Sequence, residues 1–141
     1  MVAELNVDIV SPEGEIFSGK ATMLFAKGVD GELGIAPGHL QLLTSIAPGA
    51  IRLTRADEEE ELMYVSGGIL EVQPESVTIL ADTIERPQDV NESAAKNAKD
   101  EAEKRLASTK SGADRMKAQE DLDVALAKLR VIELMRLRKK R

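Results

Sequence analysis

Cysteine is absent from this chain, which excludes a disulfide framework, thiolate chemistry and a cysteine-ligated zinc site, and suits a reducing compartment. Tryptophan is absent too, and Phe17, Phe25 and Tyr64 are the whole aromatic set. Three rings are too few to build a base-stacking platform for single-stranded nucleic acid. The one histidine, His39, has no Gly-x-Ser-x-Gly elbow to serve, so a Ser-His-Asp triad is not in prospect. No apolar run approaches the roughly 20 residues needed to span a bilayer. The first residues carry Glu4 and Asp8 and no basic region, so they do not read as a signal peptide. Acids are plentiful, but the run Glu58 to Glu61 would alternate its carboxylates across two faces of a strand and lacks an Asp-x-Asp-x-Asp-Gly loop. It reads as a solvated hairpin edge. With no catalytic residue, metal ligand or cofactor motif, the chain reads as a non-enzyme.

What is present is an uneven charge. The formal net charge of the 141 residues is -6, yet residues 128–141 hold seven Lys or Arg and one acid, Glu133. That end alone is +6 and the remainder is -12. One end is suited to an acidic partner.

The stretch from Gly28 to Ile51 organises the rest. Gly28, Gly31 and Gly34 recur at spacing three, and Pro37-Gly38-His39 makes a second break before Leu42-Leu43-Thr44. Glycines so placed mark positive φ or a close backbone approach, and the stretch reads as a rigid surface loop offering a docking edge. A phosphate cradle does not fit. The spacing is not Gly-x-Gly-x-x-Gly, no Gly-Lys-Ser/Thr follows, and no helix begins here.

Around this stretch the period is two. Leu5, Val7 and Ile9 alternate with Asn6 and Asp8; Glu15 to Phe17, Lys20 to Lys27, Ala50 to Arg55, a segment after Asp57, Leu62 to Val65, Gly68 to Val72 and Ser76 to Ala81 also read as strands. Eight to ten short strands punctuated by Gly and Pro predict a β-sandwich or flattened barrel over residues 1–86. From Pro87 the period changes to that of helices. Asp89 followed by Glu92 has the form of a capping box, and a helix runs to about Ser108 with an inner stripe of Ala94, Ala98, Ala102 and Leu106. After a break at Thr109 to Gly112 a second helix runs nearly to the end, its stripe Leu122, Ala125 or Leu126, Leu129 and Ile132. The fold class is α+β: an antiparallel sandwich, then an antiparallel helical hairpin over residues 87–141. An alanine seam is thin, so the hairpin is expected to be held closed by only a few kcal/mol.

The second helix carries more apolar residues than one seam buries: Val124, Val131, Leu134, Met135 and Leu137. With Lys128, Arg130, Arg136, Arg138, Lys139, Lys140 and Arg141 they make a basic amphipathic helix. From composition, an anionic membrane, a nucleic acid backbone or an acidic protein groove could accept it, so a free-standing adaptor is one reading. The lack of Trp or Phe at this end weakens the membrane.

Gly31-Glu32-Leu33-Gly34-Ile35, Pro37-Gly38-His39, Leu42-Leu43-Thr44, Pro48-Gly49, Ser66-Gly67-Gly68-Ile69-Leu70-Glu71-Val72 and Leu129-Arg130-Val131-Ile132-Glu133-Leu134 resemble the epsilon subunit family of F-type ATP synthases over essentially the whole chain. The resemblance implies a sandwich followed by a helical hairpin, in a non-catalytic rotor subunit at the cytoplasmic face of the bacterial inner membrane. It is peripheral there, associated through the complex and not through nucleic acid. It implies that Gly31, Glu32 and Leu33 face the polar loops of the c-ring, and that His39, Leu42 and Thr44 lie toward the gamma subunit. The basic residues 128–141 named above would meet acidic segments of the catalytic beta subunits, beside alpha, when the helices swing up to block hydrolysis. Two departures stand out. Gln41 replaces a proline found in many members, and Val90-Asn91-Glu92-Ser93-Ala94-Ala95 lacks the Asp and Arg that ATP-binding members carry at the start of the hairpin. No bound cofactor is expected.

Overall fold

The structure is a computed structural model that describes residues 3–139. Ten strands come first: β1 (Leu5–Ser11), β2 (Gly14–Ala21), β3 (Met23–Gly28), β4 (Gly31–Ile35), β5 (Leu42–Ile46), β6 (Gly49–Thr54), β7 (Glu60–Val65), β8 (Gly68–Val72), β9 (Ser76–Ala81) and β10 (Ile84–Glu85). They form one continuous sheet in the order β10-β7-β6-β3-β5-β8-β9-β1-β2, with β4 paired to β3. The sheet closes on a single apolar core. Leu5, Val7 and Ile9 of β1 lie in it with Ile51 and Leu53 of β6, Leu70 and Val72 of β8, and Val77 and Ile79 of β9.

The sandwich with its helical appendage is the fold that periodicity predicts, with two corrections. Among the described pairings β1 and β9 run parallel, with Val7 beside Val77 and Ile9 beside Ile79. Alternation tells which face of a strand is apolar and is blind to the strand's direction. The second correction concerns the organising stretch, which is mostly sheet rather than loop. Leu33 and Ile35 of β4, and Leu42, Thr44 and Ile46 of β5, keep the period of two between the glycines. Gly34 is there for space, because a Cβ would come within 3.0 Å of Met23 Cε and 3.1 Å of the Phe25 ring.

The helical part starts later than the capping-box reading. Pro87–Asp89 is a 3-10 turn, and Val90, extended and buried, follows it. The cap is Asn91, whose side-chain oxygen accepts from the Ala94 N–H at 2.9 Å. Asp89 is taken up in the turn that Pro87 preorganises, so it does not reach the helix. Helix α1 is Glu92–Ser108 and helix α2 is Gly112–Lys139. The α1 seam is Ala95 and Ala102, with Leu106 half-buried; Ala94 and Ala98 are exposed. With alanine at 94, 95, 98 and 102 two stripes fit the sequence, and the partner helix selects between them. It presents Ala118 and Ala125, both buried, while Leu126 turns outward and Ile132 is buried in the cluster against β7.

The surplus apolar residues of α2 are spent inside the chain. Val131 and Ile132, with Val124, Leu134 and Met135 at the margin, cover Leu62 and Tyr64 of β7, Val90 and Ala50. Leu137 stays about half exposed. α2 therefore lies between α1 on one side and the sandwich on the other.

Gly67 and Gly68 lie at the β7–β8 corner with φ of +122° and +144°. A Cβ on Gly68 would lie 2.1 Å from the Leu80 carbonyl oxygen. Gly68→Ala is therefore expected to destabilise the sandwich by about 3 kcal/mol, joining backbone strain to a backbone clash. Gly14→Ala, at φ +126° but in open space, is expected to cost about 1 kcal/mol. Urea unfolding of the two variants measures both, and equal losses would contradict the assignment.

Candidate docking surfaces

At the β3–β4 turn, Gly31 and Glu32 are exposed and Leu33 packs against the core margin. Glu32 Oε1 is 3.3 Å from Arg52 Nη2, and the Arg52 guanidinium sits 4.8 Å above the Phe25 ring. The turn thus offers a carboxylate held in place by a stacked arginine. An open groove of about 640 Å³ runs from this turn to α2, between Lys27, Val29 and Arg52 on one wall and Leu126 and Arg130 on the other.

His39 is half-buried, its Nδ1 2.7 Å from the Leu40 carbonyl oxygen. Leu42 and Thr44 are also half-buried, and Leu42 packs on the core. The residue that β5 turns outward is Leu43, 71% exposed. Its direct partner on β8 is Glu71, while Ile69 lies diagonally, opposite Ser45. Ile69 continues the outward face in an apolar row with Leu80 on β9, its cross-strand partner, and with Val10 on β1 beside Leu80. Ile69 and Leu80 are about half exposed. The outward Leu43 was missed by sequence reasoning, although the signal was in hand, since strict alternation through Leu42-Leu43-Thr44-Ser45-Ile46 points Leu43 away from Leu42 and Ile46.

Lys128, Arg130, Arg136 and Arg138 of α2 meet acids or a backbone carbonyl of this same chain. Lys128 Nζ is 3.8 Å from Glu85 Oε1 and 5.5 Å from the Tyr64 ring centre. Arg130 pairs with Glu133 one turn on, at 3.2 Å. Arg136 donates through both guanidinium nitrogens to the Glu92 carboxylate, Nη1 to Oε1 at 3.2 Å. Arg138 Nη1 donates to the Glu60 carbonyl at 2.8 Å. The Lys139 side chain, Lys140 and Arg141 lie outside the described residues. The hydrogen bonds from Arg136, then from Lys96, hold the Glu92 carboxyl below the usual carboxylate range, and the same pairing raises Arg136.

The cleft at the hairpin's start is lined by Glu85, Asp89, Glu101 and Asp121 against Arg105 and Lys128. Both cations are already committed, Arg105 to Asp121 at 2.8 Å and Lys128 to Glu85. Asn91 caps α1, and Ala94, also in the cleft lining, offers a phosphate no cation. Among the described residues no group of three or more His, Asp or Glu could hold a metal ion, and no helix is long and apolar enough to cross a membrane.

Two profiles of one family match in tandem, the ATP synthase delta/epsilon chain beta-sandwich domain over residues 4–87 and its long alpha-helix domain over residues 88–133. The chain belongs to the ATP synthase delta/epsilon chain family. Relatives named ATP synthase epsilon chain include that of Alkalilimnicola ehrlichii, 48% identical over 140 residues that span 99% of this chain and all of the relative. That of Halorhodospira halophila is 47% identical over 141 residues, with 99% and 100% covered. Within the family the chain stands with these bacterial epsilon chains. Among solved structures, a chain of the Euglena gracilis mitochondrial ATP synthase (OSCP/F1/c-ring, rotational state 1) superposes with a TM-score of 0.80 at 17% identity, covering 89% of this chain and 79% of that one. A chain of the Tetrahymena thermophila mitochondrial ATP synthase central stalk and c-ring gives 0.63 at 14% identity, covering 94% and 97%. At these identities the likeness is one of fold.

Two outcomes are expected from this geometry. Calorimetric titration of the chain with ATP should show no saturable binding below about 1 mM, since the cleft offers phosphate more repulsion than pairing; micromolar affinity would contradict this. Among the described residues the buried Tyr64 hydroxyl has no hydrogen-bond partner, and burial, then the Glu85 charge, pushes its pKa up to about 12. Tyr64→Phe should therefore leave stability unchanged or raise it by about 1 kcal/mol, because it removes a buried polar group that makes no hydrogen bond. A loss above that amount in thermal unfolding would show that the hydroxyl has a partner after all.

Proposed function

We propose that this chain is a non-catalytic rotor subunit of a bacterial F-type ATP synthase, peripheral at the cytoplasmic face of the inner membrane. It couples rotation of the c-ring to ATP synthesis and restrains ATP hydrolysis through its helices. The observation that carries the reading is the exposed apolar patch made by Leu43 and, diagonal to it, the cross-strand pair Ile69 and Leu80. α2 packs on β6 and β7, while the patch lies on β5, β8 and β9, so the sandwich can dock without disturbing its own hairpin. An apolar patch on a sheet face suits the gamma subunit, the partner to which His39, Leu42 and Thr44 were assigned. In this reading His39 and Thr44 frame that face, and Leu42 supports Leu43 from the core side. The exposed Glu32 turn, with Gly31 and Leu33, suits the polar loops of the c-ring. The cations Lys128, Arg130, Arg136 and Arg138, followed by Lys139, Lys140 and Arg141, suit acidic segments of the catalytic beta subunits beside alpha. Pairing of four of these residues within the chain works against a free-standing nucleic-acid or membrane adaptor.

The decisive measurement is ATP hydrolysis by the catalytic assembly stripped of this chain, with add-back of the full chain or of residues 1–88. Suppression by the full chain alone is the expected result; equal rates with both bound forms would remove the regulatory role. Leu43→Asp is expected to weaken docking on the stalk by about 30-fold or more, the loss of a buried anchor worth at least about 2 kcal/mol. Retained affinity in a pull-down titration would move the gamma face elsewhere.

A further inference from the structure

α1 makes its substantial contacts with α2 alone, whereas α2 also lies on β6, β7 and the Pro87–Asp89 turn. The seam between the helices is built on Ala95 and Ala102 against Ala118 and Ala125, so each residue brings little apolar surface to it. Charged ties then carry more of the closure. At the open end of the hairpin the tie is Glu92, the first residue of α1, whose two oxygens accept from the two terminal nitrogens of Arg136 near the end of α2. This is the fork-on-fork arrangement, the strongest form of the arginine–carboxylate pair. Arg136 remains 59% exposed and Glu92 29% exposed, so water and an outside carboxylate can reach the pair. Lys128 with Glu85 and Arg138 with the Glu60 carbonyl tie α2 to the sandwich instead, and they do not hold α1.

We infer that Glu92 is an internal competitor for Arg136: the arginine that α2 offers an acidic partner is occupied by this carboxylate while the hairpin is closed, and engagement exchanges one carboxylate for another. The inference rests on the reading that the basic end of α2 meets an acidic protein surface. Exchanging one ion pair for a similar one leaves a small net free energy, so modest differences in affinity set which state prevails. Arg105 with Asp121, at 2.8 Å, ties the helices nearer their connection; at the open end, opening and capture of the partner become one equilibrium read at Arg136.

The chain's lack of cysteine permits a clean test in the full chain. Spin labels on Asn97→Cys and Leu126→Cys, both at exposed positions, report the distance between α1 and α2. Glu92→Gln is expected to populate a longer distance at moderate salt. Lys96→Gln, which removes the other cation 3.2 Å from Glu92, is expected to leave the distance unchanged. In the hydrolysis assay with the catalytic assembly, Glu92→Gln should lower the half-inhibitory concentration about two- to fivefold, the range of an exposed ion pair. Arg136→Gln should open the hairpin equally yet raise that concentration. An unchanged distance in both Glu92→Gln and Arg136→Gln overturns the internal tie, and the arginine variant keeps this test valid if the glutamine frays the first turn of α1. Opening without any change in inhibition overturns the acidic-partner reading and the exchange with it. Inhibition by Arg136→Gln as strong as by Glu92→Gln shows that this arginine is not the group exchanged.

Discussion

Leu62 and Tyr64 on the outer side of β7 are covered by Val131 and Ile132 of α2, and the position of the helical part follows from that contact. Burying side chains of this size is worth about 1.5 to 3 kcal/mol each, against roughly 0.8 kcal/mol for a methyl group such as that of alanine. α2 is therefore held more firmly by the sandwich than by α1. The sandwich has its own closed core and needs neither helix to complete it. The helices, in contrast, have no bulky seam between them and depend on β7 for a surface. A partner that draws α2 away must supply a comparable apolar surface as well as acids.

The charges follow the same division. Ties from Lys128 and Arg138 reinforce the apolar contact with the sandwich, and the tie from Arg136 crosses the weaker helix–helix seam. All are partly exposed, so none adds more than a modest increment and each is screened by salt. Their value is in placement. They hold Lys128 and Arg136 beside this chain's own acids Glu85 and Glu92, and Arg138 on a backbone carbonyl, so these cations are engaged within the chain.

Much of this was legible in the residues. The strands of β1, β6, β8 and β9 follow from alternation, and the helical break at Thr109 follows from loss of the apolar period. The family resemblance rested on glycine and proline positions that the structure explains by space, as at Gly34 and Gly68. What was not legible depended on partners distant in sequence. The parallel pairing of β1 with β9 leaves no mark on local alternation. The choice between Ala94 and Ala95 was made by α2, and the burial of Leu134 and Met135 by β7. Leu43 differs, because its outward direction was available from the period of two but was masked by the apolar run Leu42-Leu43.

The alanine seam has a kinetic side. Alanine has no side-chain rotamers to lose on burial, so Ala95, Ala102, Ala118 and Ala125 need no side-chain rearrangement when the helices part or when they meet again. A seam of interlocked leucines would have to repack at every cycle, with each side chain finding its well. Here the alanine faces close like smooth plates, and the charged ties of Glu92 and Asp121 are what must be re-formed.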